Sequence, residues 1–313
     1  MAENQPLRDA LIGTRTQALA FEHLDMRRRL RLRAFVGLCM PLVFETLHAE
    51  VGLFALRRRG YAPVSFYLDF TAGEAALAPG STLALDYAIR LARSAPEGAG
   101  ASGAGRLMFV SQIDLRAAAP ESDAGAQSDA GAERPTVPAG SARIVHVLTR
   151  PAARAGEHRV ETVPEELRGL KEHRWEEPLP SLASLERAPD GYAPLEAGPW
   201  AESQDVWGLP NTDVNQHVNV KEYVMGAENQ FTRLLHGAGL PVAGHRIARA
   251  RLLLRKPFFA GQTYALRAAL YRRNAHTRMH AGFYLLDAAQ PAPRASSFVV
   301  CDGVLEGAAR AGR

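Results

Sequence analysis

"GSTLALDYA" (residues 80–88) and "GQTYALRAA" (residues 261–269) share the pattern G-x-T-x-A-L-x-x-A, displaced by 181 residues in a chain of 313. A match of small residues also arises by chance, so the flanking sequence decides whether it marks a repeated architecture. Upstream of the first copy lies "MPLVFETLHAEVGLFALRRRG", where Leu47, Val51, Phe54 and Ala55 fall at i, i+4, i+7 and i+8. That spacing predicts one apolar helix face, ending near Gly60. Upstream of the second, Ala227, Phe231, Leu234 and Leu235 repeat it in "NVKEYVMGAENQFTRLLHGAG". Its end is expected near Gly237 and Gly239.

Strand-like runs follow each helix. In the first half they are "VSFYLDF", "STLALDYAIRL", "RLMFVSQIDLRA" and "ARIVHVLTR". In the second they are "HRIARARLLLR", "TYALRAALYRR", "RMHAGFYLLDA" and "SSFVVCDGV". Each half reads as a short lead strand, one long helix and an antiparallel meander with one buried face. The order of elements predicts an α+β fold in which each helix lies on its own curved sheet. This arrangement resembles the hot-dog fold, present twice: residues 1–150 as a first unit, 151–199 as a connector and 200–313 as a second unit. Residues 94–105 and 117–142, rich in Ala, Gly, Ser and Pro, are expected to be mobile loops. A short helix is expected over 164–173.

Composition narrows the function classes. The chain is 47% hydrophobic and 22% charged, enough to bury one large core or two of about 150 residues. No run of eighteen apolar residues and no secretory signal is found, which predicts a cytoplasmic protein without a membrane span. Cys39 and Cys301 have neither metal-ligand spacing nor disulfide density, so no metal, redox chemistry or cofactor is suggested, and both read as buried apolar side chains. The formal charge of +4 comes almost wholly from arginine. The clusters "MRRRLRLR" (26–33) and "RRR" (57–59) have two readings. One is a positive surface for nucleic acid, an anionic membrane or an acidic protein. The other is a half-exposed strand in the first case and a helix C-terminus in the second. No nucleic-acid motif accompanies them, so no nucleic-acid partner is expected.

"LPNTDVNQHVNVKEY" (209–223) precedes the second helix and gathers Asp213, Asn215 and His217 at two-residue spacing. Asp213 with Gln216 has the spacing of a capping box, and Asp and Asn favour the N-cap. Capping requires neither His217 nor Asn219. Spacing alone leaves structure and chemistry both open.

"DVNQHVN" followed by Lys and Tyr resembles the acyl-ACP thioesterase signature D-V-N-x-H-V-N-N-x-K-Y, and "PEELRGL" (164–170) resembles the linker of that family, which carries two hot-dog units in one chain. The resemblance implies Asp213, Asn215 and His217 as catalytic residues, and Asn219 and Tyr223 beside the substrate. It implies an acyl thioester substrate on acyl carrier protein or coenzyme A, in fatty-acid or polyketide-type metabolism. Helix N-terminal amides would stabilise the oxyanion, and Asp213 or His217 would activate a water. The chain departs from the family in two places. "LLLRKPFFAGQ" (252–262) holds no carboxylate where the family has a further acid, and Val220 replaces the second Asn. Glu228 is the candidate stand-in acid, with a helix-paired or solvated charge as its alternative.

The first unit lacks the motif, so one site is expected. Phe54, Phe66 and Leu68 are candidates for the acyl tunnel wall, with core packing as the alternative for each. Two other functions stay open: a dehydratase or hydratase of hydroxyacyl or enoyl thioesters, and a non-hydrolytic acyl-binding or acyl-transfer protein. Two units in one chain allow a monomer, and a homodimer of such chains equally.

Overall fold

The computed structural model describes residues 7–95, 105–118, 136–154, 157–195, 201–213, 216–286 and 295–306. These form two compact units: residues up to Phe66 with Ala72–Leu179, and Tyr67–Thr71 with the chain from Pro180 onward.

The first unit holds β1 (Leu11–Ala18), α1 (Leu32–Val51), α2 (Leu53–Arg58), β2 (Ala62–Ala72), β3 (Thr82–Ser94), β4 (Leu107–Ala118), β5 (Thr136–Thr149) and β6 (Glu172–Trp175). β3 pairs antiparallel with β1 and β4, and β4 with β5, giving the order β1-β3-β4-β5-β2. Residues 96–104 and 119–135, the bulk of the expected mobile loops, lie outside the described residues. β5 begins at Thr136, inside the stretch read as a loop from 117 to 142.

Three local expectations are corrected in this unit. α1 starts at Leu32, not near Met40, so "RLRAF" is helix rather than alternating strand. Leu32, Phe35, Leu38, Cys39, Val43 and Leu47 are all buried, and a helix apolar on nearly every side has no single stripe from which its start can be read. Leu32–Val51 is also long and apolar enough to cross a membrane by length and composition, at hydropathy 1.4, with 56% of that stretch buried inside the protein. The helix then breaks at Gly52, whose φ of 68° and ψ of 62° are left-handed. The apolar face therefore stops at Val51, and Phe54 on α2 is 64% exposed. Lastly, 164–173 is not helical. A 3₁₀ turn at Glu165–Leu167 leads into β6, which runs parallel to the end of β3. Arg93 holds β6 there through both carboxylate oxygens of Glu172, at 2.7 and 3.0 Å.

The second unit holds α3 (Leu182–Glu186), β7 (Ala193–Pro194), β8 (Ala201–Val206), α4 (Val220–Gly237), β9 (His245–Leu254), β10 (Thr263–Arg273), β11 (His276–Leu285) and β12 (Ser297–Leu305). β10 pairs antiparallel with β8 and β11, β11 with β12, and β12 with β9. The order β8-β10-β11-β12-β9 repeats that of the first unit strand for strand. Tyr67–Thr71 of β2 is grouped here because it pairs with β9.

The quoted repeat is a true structural equivalence. Gly80 and Gly261, its two first residues, take φ of 81° and 82° and turn the chain into β3 and β10. α4 is amphipathic and buries Tyr223, Val224, Ala227, Phe231, Leu234 and Leu235, packing on β10 and β12. Cys39 and Cys301 are sealed in the cores of their units, and burial raises both thiol pKa values.

Candidate active site

The loop before α4 is a pinned reversal. Gln216 N–H donates to Asp213 O at 2.9 Å, Asp213 N–H donates to His217 O at 2.8 Å, and Asp213 Oδ1 accepts the His217 N–H at 3.3 Å. Gln216 takes φ of 62°, which lets a non-glycine residue complete the turn. Val218 N–H donates to Phe258 O at 2.8 Å, and isolated bridges link Thr212 with Val218 and His217 with Phe259. Val214 and Asn215 lie outside the described residues.

The capping question resolves against Asp213. Asn219 is the N-cap of α4, with φ −65° and ψ 142°, and its Oδ1 accepts the Lys221 N–H at 3.0 Å. Asp213 and Gln216 close the turn ahead of the helix instead of capping it. Helix and turn thus account for Asn219 and Asp213, but neither uses the His217 imidazole. That ring is exposed and stands edge-on to Phe259, centroids 5.2 Å apart.

The first turn of α4 includes a donor without a partner among the described residues. Asn219 N–H goes to Asn211 O at 2.8 Å, Lys221 N–H to Asn219 Oδ1, and Glu222 N–H to Asn219 O at 3.0 Å. The Val220 N–H, first of the helix, has no acceptor among the described residues. Helix-terminal amides carry positive potential that favours an anion.

Glu222 is the buried acid beside this loop. It is 6% exposed and accepts a hydrogen bond from Asn211 Nδ2 at 2.9 Å. Asn211 Oδ1 accepts the Gly208 N–H at 2.8 Å, so one asparagine ties α4 to both sides of the 3₁₀ turn at Leu209–Asn211. Behind the loop is an aromatic layer: Trp207 stacks on Tyr264 at 4.2 Å, and Tyr223 meets Phe283 edge-on at 5.3 Å. Burial pushes the Tyr223 and Tyr264 phenols each up to about 12, which keeps them protonated near neutrality.

No family model matches the sequence, and no curated protein does. Solved structures do match in shape. A structure described as an oleoyl thioesterase of Lactobacillus plantarum superposes with a TM-score of 0.61 at 13% identity, covering 95% of this chain and 97% of that one. An acyl-ACP thioesterase of Bacteroides thetaiotaomicron gives 0.57 at 13% identity, over 93% and 97%. The 12:0-ACP thioesterase of Umbellularia californica gives 0.56 at 13% identity, over 93% of each chain. The fold is the double hot-dog of acyl-ACP thioesterases.

Within this double hot-dog the residues singled out in the sequence are dispersed. Asp213, His217 and Asn219 share one loop. Tyr223 is 3% exposed within the aromatic layer. Glu228 is half-buried in the middle of α4, about 13 Å along the axis from the N-cap. It lies close enough to β12 that its charge, after burial itself, helps raise the Cys301 thiol pKa. Phe54 places its ring against His48 at the surface, 4.6 Å between centroids. Phe66 is half-buried under the Arg106 guanidinium at 5.2 Å, and Leu68 is fully buried. Sequence reasoning missed Glu222 and Asn211, and it named the helix N-terminal amides as a group without singling out that of Val220. Asn219 and Glu222 do stand at capping-box spacing in the sequence, but that signal points to a cap rather than to a bond with Asn211.

Proposed function

We propose that the chain hydrolyses an acyl thioester, the acyl group being carried on acyl carrier protein or coenzyme A. The observation that carries this reading is the exposed His217 imidazole, held by a pinned turn next to the Val220 amide, which has no acceptor among the described residues, at the N-terminus of an eighteen-residue helix. The double hot-dog fold supports it. In this reading the thioester oxygen sits at the Val220 N–H, where negative charge develops as a water attacks the carbonyl carbon. His217 or the Asp213 carboxylate takes the water proton. The tetrahedral adduct collapses with cleavage of the C–S bond, and the sulfur leaves as a thiol after regaining a proton. No covalent enzyme intermediate is needed.

A panel of acyl-CoA and acyl-carrier thioesters, followed by free thiol, tests the proposal. Release is expected for at least one acyl class, and His217→Ala should lower kcat/KM by about 100-fold or more. Silence across the panel overturns it. Arg255, Lys256 and Pro257 occupy the stretch without a carboxylate. That observation favours a second reading, acyl binding or transfer without hydrolysis, which predicts tight acyl-thioester binding with no thiol released.

A further inference from the structure

We infer that the turn between Leu24 and Leu30 in the first unit docks the protein on an anionic lipid surface. Leu24 and Leu30 are buried and bridge each other antiparallel. Between them the chain is locked. The Asp25 carboxylate accepts the Arg27 N–H at 2.8 Å and the Arg29 N–H at 2.9 Å, and it pairs with the Arg29 guanidinium, which is itself buried. Arg28 takes φ of 61°, and its carbonyl accepts the Leu77 N–H at 2.7 Å.

A slack loop would fold its apolar side chains back onto the protein. This turn is pinned from both sides, yet it presents Met26 at 81% exposure, with Phe21 at 79% just before it. Arg27 and Arg28 stand exposed beside Met26, with Arg31 and Arg33 half-exposed further on; the Asp25 charge is taken up by the buried Arg29, which leaves four arginines against Glu22 over residues 21–33. Apolar tips flanked by cations suit the boundary between headgroups and acyl chains, where each side chain finds its own solvent. Side chains exposed to four-fifths and not set in a groove of their own suit a deformable bilayer better than a protein partner, which must supply a matching socket. The inference goes beyond thioester hydrolysis and does not depend on it.

Co-sedimentation with vesicles of phosphatidylcholine, alone or mixed with phosphatidylglycerol, tests it on the full chain. Binding is expected to the anionic vesicles only and to weaken with added salt. Met26→Ser with Phe21→Ser should lower the partition coefficient about tenfold or more. Both positions are open to solvent, so melting temperature should not change. Ile12→Ser, 75% exposed on β1, should leave binding intact. Absence of binding to anionic vesicles overturns the inference, as does binding that survives the double substitution. Retention by an acidic carrier protein, lost in the double variant while vesicles are ignored, reassigns the tip to a protein partner.

Discussion

Glu222 shows what one side chain decides near the motif. Its carboxylate is buried, accepts the Asn211 amide at 2.9 Å and has the Lys221 ammonium 3.9 Å away. Glu222→Ala strands the Asn211 Nδ2 donor and frees the 3₁₀ turn, so a loss of about 2 kcal/mol is expected in urea denaturation. Glu222→Gln keeps an acceptor for Asn211 and should recover most of that loss. If alanine and glutamine cost the same, the hydrogen bond is not what holds the loop. The site was half legible for a chemical reason. Asp213 and His217 stand out because polar side chains crowd one short segment. The motif's place before a helix points to N-terminal amides as a group, but every residue but proline carries one, and only the fold singles out that of Val220, which has no acceptor among the described residues. Glu222 reads in the sequence as one more charge on a polar helix face, and only the fold shows it buried.

At the scale of elements, N-caps and turn glycines give the sharpest expectations. Asn219→Ala removes the acceptor for Lys221 N–H and should cost about 1 kcal/mol, read as a fall in thermal midpoint. Gly80→Ala and Gly261→Ala each force a Cβ into left-handed backbone and should cost about 1 kcal/mol apiece. Similar losses at both would confirm that the two turns do the same work; a neutral result at either would break the equivalence. These elements also show where periodicity informs. α4 is polar on one side, and its expected span agrees with Val220–Gly237. α1 is apolar on nearly every side although Gly37, Pro41, Glu45 and His48 face solvent, and neither its start at Leu32 nor its stop at Gly52 follows from a stripe. Strands β3 and β10 were readable because their sheets have one buried face.

For the molecule as a whole, two buried histidines set the response to acid. His146 has no exposure and neither ring nitrogen finds a hydrogen-bond partner among the described residues; burial lowers its pKa to about 4. In the second unit, burial and then the Arg278 and Arg251 charges bring His280 to about 4 as well. Unfolded, both titrate near 6.5. Between those values the unfolded chain binds protons that the folded one refuses. Stability is therefore complete above pH 6.5 and falls toward pH 4, by about 2 kcal/mol per histidine at pH 5. Urea titrations at pH 7 and 5 measure this, and His146→Phe should flatten the difference by about half. The duplicated topology was legible from the nine-residue match and its helices, because two copies of one burial pattern reinforce each other. What lies in the interior also shapes how the chain can be watched. Its only two sulfhydryls, Cys39 and Cys301, are locked inside the units. A chromogenic disulfide reagent added to native protein should therefore stay colourless until a substrate yields its sulfur. Without substrate, any slow colour counts the molecules that have opened.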